Sequence, residues 1–252
     1  MPRVALVHGF TQTGRSWGPI AARLAAAGHE VVCPDLPGHG EASDVRADLP
    51  GGADRLAAAC GPCTYVGYSM GGRHCLHLAL ARPGLVQRLV LVGATAGIDD
   101  PAERAARRAA DEALALTLDH PPVERGSPGE RQRLDAFLGS WLARPLFATL
   151  PLDRAGIEDR RRNTVDGLAA SLRLAGTGTQ EPLWDRLASL SMPVLIMAGA
   201  LDAKFSALAH RMAAGVGPNA RVEVLPGAGH AAHLEQPDAF AQAVLRFLEE
   251  GV

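Results

Sequence analysis

Residues 64–72 read TYVGYSMGG, and this stretch joins a short apolar run to a helical pattern that begins at once. The run Thr64–Gly67 has the composition of a buried strand. Ser69 lies at the turn that follows, inside a Gly-x-Ser-x-Gly pattern. Such a turn is strained and exposes the serine hydroxyl, and glycines are needed beside it because a Cβ would clash there. We therefore predict that Ser69 is a nucleophilic or basic serine at the end of a strand.

Short apolar runs bounded by Gly or Pro recur on both sides of this turn, with amphipathic stretches between them. This alternation predicts the α/β class of fold, in which helices flank a parallel sheet. The predicted strands are Arg3–Val7, Val31–Pro34, Thr64–Gly67, Arg88–Val92, Val194–Gly199 and Arg221–Leu225. The predicted helices between them are Trp17–Ala27, Met70–Arg82, Ser206–Ala214 and Pro237–Glu249.

The alternation breaks once, from about residue 100 to residue 190. Ala, Leu, Arg and Glu recur there with helical spacing, punctuated by Pro and Gly, and no strand pattern is evident. Ligands of open parallel sheets bind at the carboxyl ends of the strands, so helices inserted there would cover the site. We predict one domain over residues 1–252, in which residues 100–190 form a helical lid. The alternative is that these helices only cover the sheet.

The composition restricts the class of partner. The chain has 252 residues, of which 47% are hydrophobic and 21% charged, and this composition is ordinary for a soluble globular protein. Its 25 basic and 27 acidic side chains give a net charge of −2, which provides no positive field for nucleic acid. No stretch approaches the ~20 apolar residues of a membrane span, and the N-terminal apolar run is too short for a signal peptide. We expect a cytoplasmic monomer or small homo-oligomer that binds neither nucleic acid nor membranes.

A reactive serine needs a base and a group that orients the base. With this order of elements the acid follows the serine, and the histidine follows the acid. Asp202 comes just after the fifth predicted strand, and His230 lies in a glycine-rich loop after the sixth. His230 can accept the Ser69 proton while Asp202 holds the imidazole. Asp99 and Asp100, which follow the fourth predicted strand, are the alternative acids.

Two backbone N–H groups are predicted to bind the oxyanion that forms during the reaction. One belongs to Met70, which follows the serine. The other belongs to Phe10, in the glycine turn after the first strand. His8 lies in the same turn, and we expect it to shape the loop rather than to act as the base.

Two further pairs of residues have spacings that occur in redox centres and in metal sites of other proteins. Cys60 and Cys63 have the spacing of a redox Cys-x-x-Cys, but here a helix precedes a strand, whereas a redox pair follows a strand and opens a helix. The order favours a simple turn. His74 and His77 lie three apart on a predicted helix and could share a metal ion, but no third ligand is evident. We therefore predict neither a redox centre nor a metal site.

These residues together resemble the α/β-hydrolase superfamily over nearly the whole chain. The resemblance is carried by Val7–Phe10, Asp35–Gly40, Gly67–Gly72, Asp202 and Gly229–His230. It implies a mostly parallel sheet flanked by helices, with the helical lid inserted after the sixth strand. By itself this likeness says little about the substrate.

A narrower set of motifs is similar to the 2-succinyl-6-hydroxy-2,4-cyclohexadiene-1-carboxylate synthases of menaquinone biosynthesis. The matching pieces are Gly67–Arg73, Arg107 with Asp111, Trp141–Phe147, Gly167–Leu172, Gly176–Gln180, Asp202–Phe205 and Gly229–His233. This resemblance implies a lyase that eliminates pyruvate from 2-succinyl-5-enolpyruvyl-6-hydroxy-3-cyclohexene-1-carboxylate. A Ser-His-Asp triad would serve as the general base, and no metal or organic cofactor is implied.

The substrate of that family is a small polycarboxylate, and arginines bind carboxylates in a bidentate fork. Arg73 and Arg107 are predicted to face it. One arginine of the run 160–162 should join them, and we select Arg162, although Arg160 and Arg161 remain alternatives. Each of these arginines could instead belong to a solvated helix face. The other predicted substrate contacts are Tyr68, Trp141 and His233, for which the alternatives are core packing at Trp141 and helix capping at His233.

The alternative function is that of a serine hydrolase, either a carboxylesterase or a lactonase, which acts through an acyl-serine intermediate. This function needs only Ser69, His230 and Asp202, and it predicts a pocket lined by apolar groups. The lining of the pocket therefore distinguishes the two hypotheses.

Overall fold

The computed structural model describes residues 1–249, and its sheet has six parallel strands in the order β2-β1-β3-β4-β5-β6. The strands are β1 (Arg3–Val7), β2 (Glu30–Val32), β3 (Cys63–Tyr68), β4 (Val86–Val92), β5 (Val194–Gly199) and β6 (Ala220–Leu225). The predicted α/β class is confirmed. The strand order reverses between β1 and β3, and the crevice at the carboxyl ends of two such strands is the usual ligand site of an open α/β sheet.

Helices connect and cover these strands. They are α1 (Gly18–Ala26), α2 (Leu49–Cys60), α3 (Met70–Ala81), α4 (Pro101–Asp119), α5 (Pro128–Leu142), α6 (Ile157–Arg160), α7 (Val165–Ala175), α8 (Ala203–Val216), α9 (Ala232–Glu235) and α10 (Pro237–Glu249). Each of the four predicted helices is present with similar bounds. Within residues 1–249 no helix combines the length and the apolar character needed to cross a bilayer.

The buried strands supply both faces of the sheet, because successive side chains point to opposite sides. Val4 and Leu6 of β1 belong to a cluster with apolar residues of α1, α10 and the inserted helices. Ala5 and Val7 belong to a second cluster with residues of α2, α3 and α8. The sheet is therefore covered on both sides, which explains why its strands are almost continuously apolar.

The helical insertion follows β4, which corrects the expectation that it follows a sixth strand. In the described chain, β1 to β4 come before it, and β5 and β6 follow it. The insertion contains α4, α5, α6 and α7, and α4 packs along α7. Leu138 of α5 and Leu168 of α7 are fully buried in the same cluster as Val4 and Leu6. The inserted helices therefore extend the core on one face of the sheet.

Polar contacts tie the α6 segment to the loops that follow β1 and β2. The Asp159 carboxylate accepts a hydrogen bond from the Thr13 N–H at 3.0 Å. The Asn163 side chain accepts from the Gly40 N–H at 3.0 Å and donates to the Thr11 carbonyl oxygen at 2.7 Å. These contacts hold the insertion over the carboxyl edge of the sheet.

The serine turn depends on the close approach of α3 to β1, which a methyl group at Gly71 would prevent. A Cβ there would lie 2.2 Å from the Val7 carbonyl oxygen and 2.5 Å from that of His8. Both atoms are backbone, so we expect Gly71→Ala to lower the free energy of unfolding by about 3 kcal/mol in urea titrations. Gly84→Ala is the matched control, since a Cβ at Gly84 meets no atom within 4 Å. Equal stabilities of the two variants would contradict this account.

Candidate active site

Ser69 occupies the sharp turn between β3 and α3. Its φ of 50° and ψ of −109° lie in a region that residues other than glycine rarely adopt. The Ser69 N–H donates to the Val92 carbonyl oxygen at 2.7 Å, which ties the turn to β4. A Cβ at Gly67 would lie 2.6 Å from the Gly71 carbonyl oxygen, so the turn needs glycine there. Strained backbone of this kind is retained where the surrounding structure enforces it.

The structure brings Ser69, His230 and Asp202 together in one hydrogen-bonded row. His230 Nε2 lies 3.2 Å from Ser69 Oγ, and His230 Nδ1 lies 2.9 Å from Asp202 Oδ2. The other carboxylate oxygen of Asp202 accepts from the Phe205 N–H at 3.1 Å, at the start of α8. The His230 ring is 1% exposed and the Asp202 carboxylate 10% exposed. This geometry lets Nδ1–H donate to the carboxylate while Nε2 accepts the serine proton.

The two alternative acids line the larger cavity beside Ser69, but their carboxylates have other partners. The Asp99 carboxylate pairs with the Arg211 guanidinium at 2.5 Å. Asp100 caps α4 by accepting from the Glu103 N–H at 2.8 Å. Of the three candidate acids, the structure therefore places Asp202 against the histidine.

The loop after β1 carries the backbone expected to bind an oxyanion. Phe10 and Met70 both line a cavity that also contains Ser69. His8 fixes the loop, because its Nδ1–H donates to the Gly9 carbonyl oxygen at 2.9 Å and its Nε2 accepts from the Leu36 N–H at 3.0 Å. Burial lowers the pKa of His8, which favours the neutral ring that this pattern requires. His8 thus connects the loops after β1 and β2.

His233 does not line the cavities around Ser69 in the described part of the chain, which corrects the expectation that it contacts substrate. It is 1% exposed, and its ring centroid lies 4.5 Å from that of Trp17 and 4.4 Å from that of Tyr68. The Gln12 amide donates to His233 Nε2 at 3.3 Å, and its oxygen accepts from the Gly9 N–H at 3.1 Å. His233 therefore supports the loop after β1 and the Tyr68 ring.

Two adjoining cavities open beside Ser69, with volumes of about 370 and 190 Å³. The residues that line both are Ser69, Arg73, Arg107, Thr177, Lys204 and Phe205. Trp141 of α5 and Leu172 of α7 line the smaller cavity. The inserted helices thus form part of the wall of a cleft that contains the serine hydroxyl.

Arg73 presents a buried cation to this cleft. The residue is 6% exposed, and within residues 1–249 its Nη1 atom is buried with no hydrogen-bond partner. Burial, followed by the neighbouring Arg107, lowers the pKa of the Arg73 guanidinium to about 9. Arg107 differs, because its Nε donates to the buried Asp111 carboxylate at 2.8 Å. A desolvated and incompletely paired guanidinium beside a cavity favours an anionic ligand.

Arg160 is the arginine of the run 160–162 that reaches the site. It is 1% exposed, and its guanidinium donates to the Ala155 carbonyl oxygen at 2.8 Å and to the Thr11 hydroxyl. A small cavity of about 20 Å³ is lined by Arg160 together with Ser69 and Tyr68, among others. Arg160 therefore lies close to the serine, at a small cavity that shares Phe10, Trp141 and His230 with the smaller of the two cavities described above.

Arg162 points away from the site, which corrects its selection as a substrate contact. Its guanidinium lies 3.3 Å from the Glu41 carboxylate, and its side chain is 37% exposed. Arg161 is also exposed and pairs with Asp135 at 2.8 Å. The helix α6 ends at Arg160, so the two residues that follow turn toward solvent.

Aromatic side chains complete the walls near the serine. The Tyr68 ring centroid lies 5.4 Å from that of His230, and burial raises the pKa of the Tyr68 hydroxyl. Trp141 is 8% exposed and packs edge-on against Phe10 at 5.0 Å. The Arg144 guanidinium lies 4.6 Å from the Trp141 ring centre, within the range of a cation–π contact. Trp141 lines the smaller cavity beside Ser69, and Tyr68 lines the small cavity that contains Arg160; their contact with substrate stays a prediction.

Comparison with known proteins identifies the family. The profile of the Alpha/beta hydrolase family matches residues 4–243 of the chain. The chain belongs to the alpha/beta hydrolase family. Within it, the 2-succinyl-6-hydroxy-2,4-cyclohexadiene-1-carboxylate synthase of Serratia proteamaculans (strain 568) is 30% identical over 269 residues, which cover 98% of this chain and 93% of that protein. A Bacillus subtilis (strain 168) relative that provisionally carries the same name is 34% identical over 264 residues, with 97% and 89% covered.

Solved structures agree with this assignment. MenH from S. aureus superimposes on this alpha/beta hydrolase with a TM-score of 0.86 and 29% identity, covering 98% of this chain and 93% of that one. A thermophilic esterase from Thermogutta terrifontis gives a TM-score of 0.75 and 25% identity, with 98% and 89% covered. The same architecture is therefore shared with proteins of different named activities.

Lys204 and Phe205 belong to the Asp202–Phe205 motif of this alpha/beta hydrolase, but neither was predicted as a site residue, and both line the cleft. Lys204 lines both cavities beside Ser69, and it follows Asp202 by two positions. Phe205 places its ring 4.5 Å from that of His230. Their position in the first turn after a strand end was the signal that could have indicated both residues.

The remaining motifs have structural surroundings. Cys60 ends α2 and Cys63 begins β3, both are free thiols, and burial raises the pKa of Cys60 to about 12. His74 lies with its Nδ1 3.3 Å from the Leu49 carbonyl oxygen. In the described chain, residues 1–249, no three His, Cys, Asp or Glu side chains are grouped so that they could share a metal ion.

Buried histidines predict that this alpha/beta hydrolase is destabilised by acid. Burial lowers the pKa of His74 and of His233 to about 3, and that of His39 well below its usual value. In the unfolded chain these histidines bind protons below pH ~6.5, whereas in the folded chain they stay neutral until the pH is much lower. The free energy of unfolding is therefore highest above pH ~6.5, and it falls as the pH drops toward the folded pKa values.

We expect the free energy of unfolding to fall by about 1.4 kcal/mol per pH unit for each such histidine below pH ~6. Urea titrations at several pH values measure this slope. His74→Gln should reduce the slope by the share of one histidine. An unchanged slope in that variant would show that His74 is not neutral in the folded state.

Proposed function

We propose that this alpha/beta hydrolase is a 2-succinyl-6-hydroxy-2,4-cyclohexadiene-1-carboxylate synthase, a carbon–oxygen lyase of menaquinone biosynthesis. The observation that carries the proposal is the set of guanidinium groups of Arg73, Arg107 and Arg160 around Ser69. The substrate has three carboxylates, on the succinyl chain, the ring and the enolpyruvyl group. Guanidinium groups bind carboxylates through charge-assisted, often bidentate hydrogen bonds. The named relatives support the same activity.

In the proposed reaction Ser69 acts as a base rather than as a covalent nucleophile. His230 accepts the Ser69 proton, and the serine oxygen removes the ring proton at C2, beside the succinyl ketone. The electron pair forms the C2–C3 double bond, the C3–C4 double bond moves to C4–C5, and the C5–O bond to the enolpyruvyl group breaks. The leaving group takes up a proton and becomes pyruvate. No water is consumed, so no acyl-serine is needed.

The negative charge that develops on the succinyl ketone oxygen needs donors. The N–H groups of Phe10 and Met70 are proposed for this role, since both residues line the cavity at Ser69. One such donor contributes about 3–4 kcal/mol to transition-state stabilisation in other serine enzymes. Asp202 stabilises the His230 imidazolium formed in the same step. The inserted helices α4 to α7 are proposed as the lid of the site.

The alternative function, a carboxylesterase or lactonase, uses the same Ser69, His230 and Asp202. It gives no role to Arg73, whose buried cation is costly unless an anion binds beside it. This incompletely paired guanidinium therefore favours an anionic substrate over a neutral ester.

The test is pyruvate release from the enolpyruvyl substrate, generated in situ and compared with its spontaneous decay. Lactate dehydrogenase and NADH report the pyruvate continuously. Release well above the spontaneous rate is the expected result. If a folded protein gives no such release but shows a burst with a nitrophenyl ester, the hydrolase hypothesis replaces the lyase.

The corrected arginine assignment gives a paired prediction. Arg160→Gln is expected to lower kcat/KM by about 30-fold, because it removes a charge-assisted contact worth about 2 kcal/mol. Arg162→Gln, whose side chain pairs with Glu41 at the surface, should change kcat/KM by less than about 2-fold. Arg160 also donates hydrogen bonds to Ala155 and Thr11, so the melting temperature of each variant is measured to show whether the loss of these bonds has unfolded the protein. Equal losses in the two variants would contradict the assignment.

A further inference from the structure

Glu235 is a buried carboxylate that lies directly behind the His230 loop. It ends the single-turn helix α9 and is 4% exposed. Its Oε2 atom accepts from the Gly229 N–H at 2.7 Å, and its Oε1 atom accepts from the Ala231 N–H at 3.0 Å. The carboxylate therefore holds the peptide on each side of His230.

The residues around the Glu235 carboxylate pack closely against it and hold its backbone in place. A Cβ at Gly229 would lie 3.2 and 3.3 Å from the two carboxylate oxygens and 2.1 Å from the Thr149 hydroxyl, so glycine is required there. The end of α9 is fixed as well, because Arg154 donates to the Glu235 carbonyl oxygen at 2.9 Å. A buried carboxylate is retained when such hydrogen bonds satisfy it.

His230 needs support of this kind because it must make two contacts at once. Its two ring nitrogens lie 2.9 Å from Asp202 and 3.2 Å from Ser69. It belongs to a loop, and a displacement of about 1 Å at such a site can slow a reaction by about 100-fold. Two hydrogen bonds to the flanking peptides restrict both rotation and translation of this loop.

We propose that Glu235 is a positioning residue that holds His230 in line with both Ser69 and Asp202. It acts through His230 and touches no substrate. The inference rests on the proposed function only in the assumption that His230 accepts the proton of Ser69. It therefore holds for the lyase and for the hydrolase alike.

The experiment is phosphonylation of Ser69 by an alkyl fluorophosphonate. Ser69 Oγ forms the bond to phosphorus, fluoride leaves, and His230 takes the hydroxyl proton. The maximal inactivation rate and the apparent reagent affinity are measured separately for the wild-type chain and for Glu235→Gln. In this variant an amide N–H group faces a backbone N–H, so one of the two contacts is lost.

Glu130→Gln is the matched control. Glu130 is also a buried carboxylate, 7% exposed, and it accepts from the Gly126 N–H at 2.6 Å and the Val165 N–H at 3.3 Å. It lies in the insertion and contacts neither Ser69 nor His230. A general effect of removing a buried carboxylate should therefore appear equally in both variants.

Glu235→Gln is expected to lower the maximal inactivation rate by about 10- to 100-fold with unchanged reagent affinity. Glu130→Gln should stay within about 2-fold of wild type. The downfield proton resonance of the His230–Asp202 hydrogen bond should shift or broaden only in the Glu235 variant. If Glu235→Gln does not fold, Glu235→Asp, which shortens the side chain by one methylene, is measured instead.

A wild-type inactivation rate in a folded Glu235 variant would overturn the proposal, as would an equal loss in Glu130→Gln. Resistance of the wild-type chain to the reagent would also overturn the proposal, because Ser69 and His230, which Glu235 is proposed to align, would then not be a reactive pair. Failure of the proposed lyase gives a different result. The wild-type chain is then phosphonylated but releases no pyruvate.

Discussion

Ser69→Ala is expected to reduce pyruvate release to the spontaneous rate, a loss of at least about 10⁴-fold in kcat. The serine oxygen is the atom we assign to removal of the ring proton, and it lies 3.2 Å from His230 Nε2. Alanine leaves no oxygen at that position. A retained water could only partly replace it, because the water would not be held by the backbone. The lactate dehydrogenase assay measures the loss directly.

The controls for this variant separate chemistry from folding. Ser189→Ala removes an exposed hydroxyl that donates to the Arg186 carbonyl oxygen, and it should retain full activity. Ser69→Gly should be inactive but more stable than Ser69→Ala by about 1 kcal/mol, because the φ of 50° strains any side chain. Pyruvate release that survives in a folded Ser69→Ala protein would exclude Ser69 as the base.

Arg73→Met is expected to lower kcat/KM by about 10²- to 10³-fold and to raise the melting temperature at the same time. The guanidinium is buried, its Nη1 has no partner within residues 1–249, and burial lowers its pKa. Without substrate this desolvated charge destabilises the fold. With substrate it would pair with a carboxylate. Methionine fills a similar volume without the charge, so stability and activity should change in opposite directions.

Arg82→Met is the matched control for Arg73→Met. Arg82 caps the same helix, but its side chain is 51% exposed and pairs with Asp54 at 2.7 Å. Exposed pairs contribute little, so neither kcat/KM nor the melting temperature should change appreciably. A loss of both activity and stability in Arg73→Met would show that Arg73 is structural. Steady-state kinetics and differential scanning calorimetry provide the two readouts.

The sheet and the serine turn are determined by local sequence. Each buried parallel strand needs an almost unbroken apolar run, so β1 and β5 were predicted with the bounds that the structure has. The turn at Ser69 needs glycine at fixed positions because backbone atoms approach to within 3 Å of where a Cβ would lie. These requirements involve only neighbouring elements. They can therefore be read from short stretches of sequence.

The order of the strands along the chain also determined which residues lie together at the active site. The carboxyl ends of parallel strands lie at one edge of the sheet, so residues that follow β3, β5 and β6 must lie close together. This rule predicted the meeting of Ser69, Asp202 and His230. It did not exclude Asp99, which also follows a strand. Only the path of the loop, which turns Asp99 toward Arg211, separates the two acids.

The tertiary structure alone decided the direction of side chains on short elements. The helices α6 and α9 have four residues each, too few for a periodic pattern to mark a buried face. Arg160 faces the site and Arg162 faces solvent because the chain turns after α6, and its contacts to the loop after β1 fix that turn. His233 is buried behind Tyr68 for a similar reason. Its direction depends on residues distant in sequence, such as Gln12 and Trp17, which only folding brings into contact.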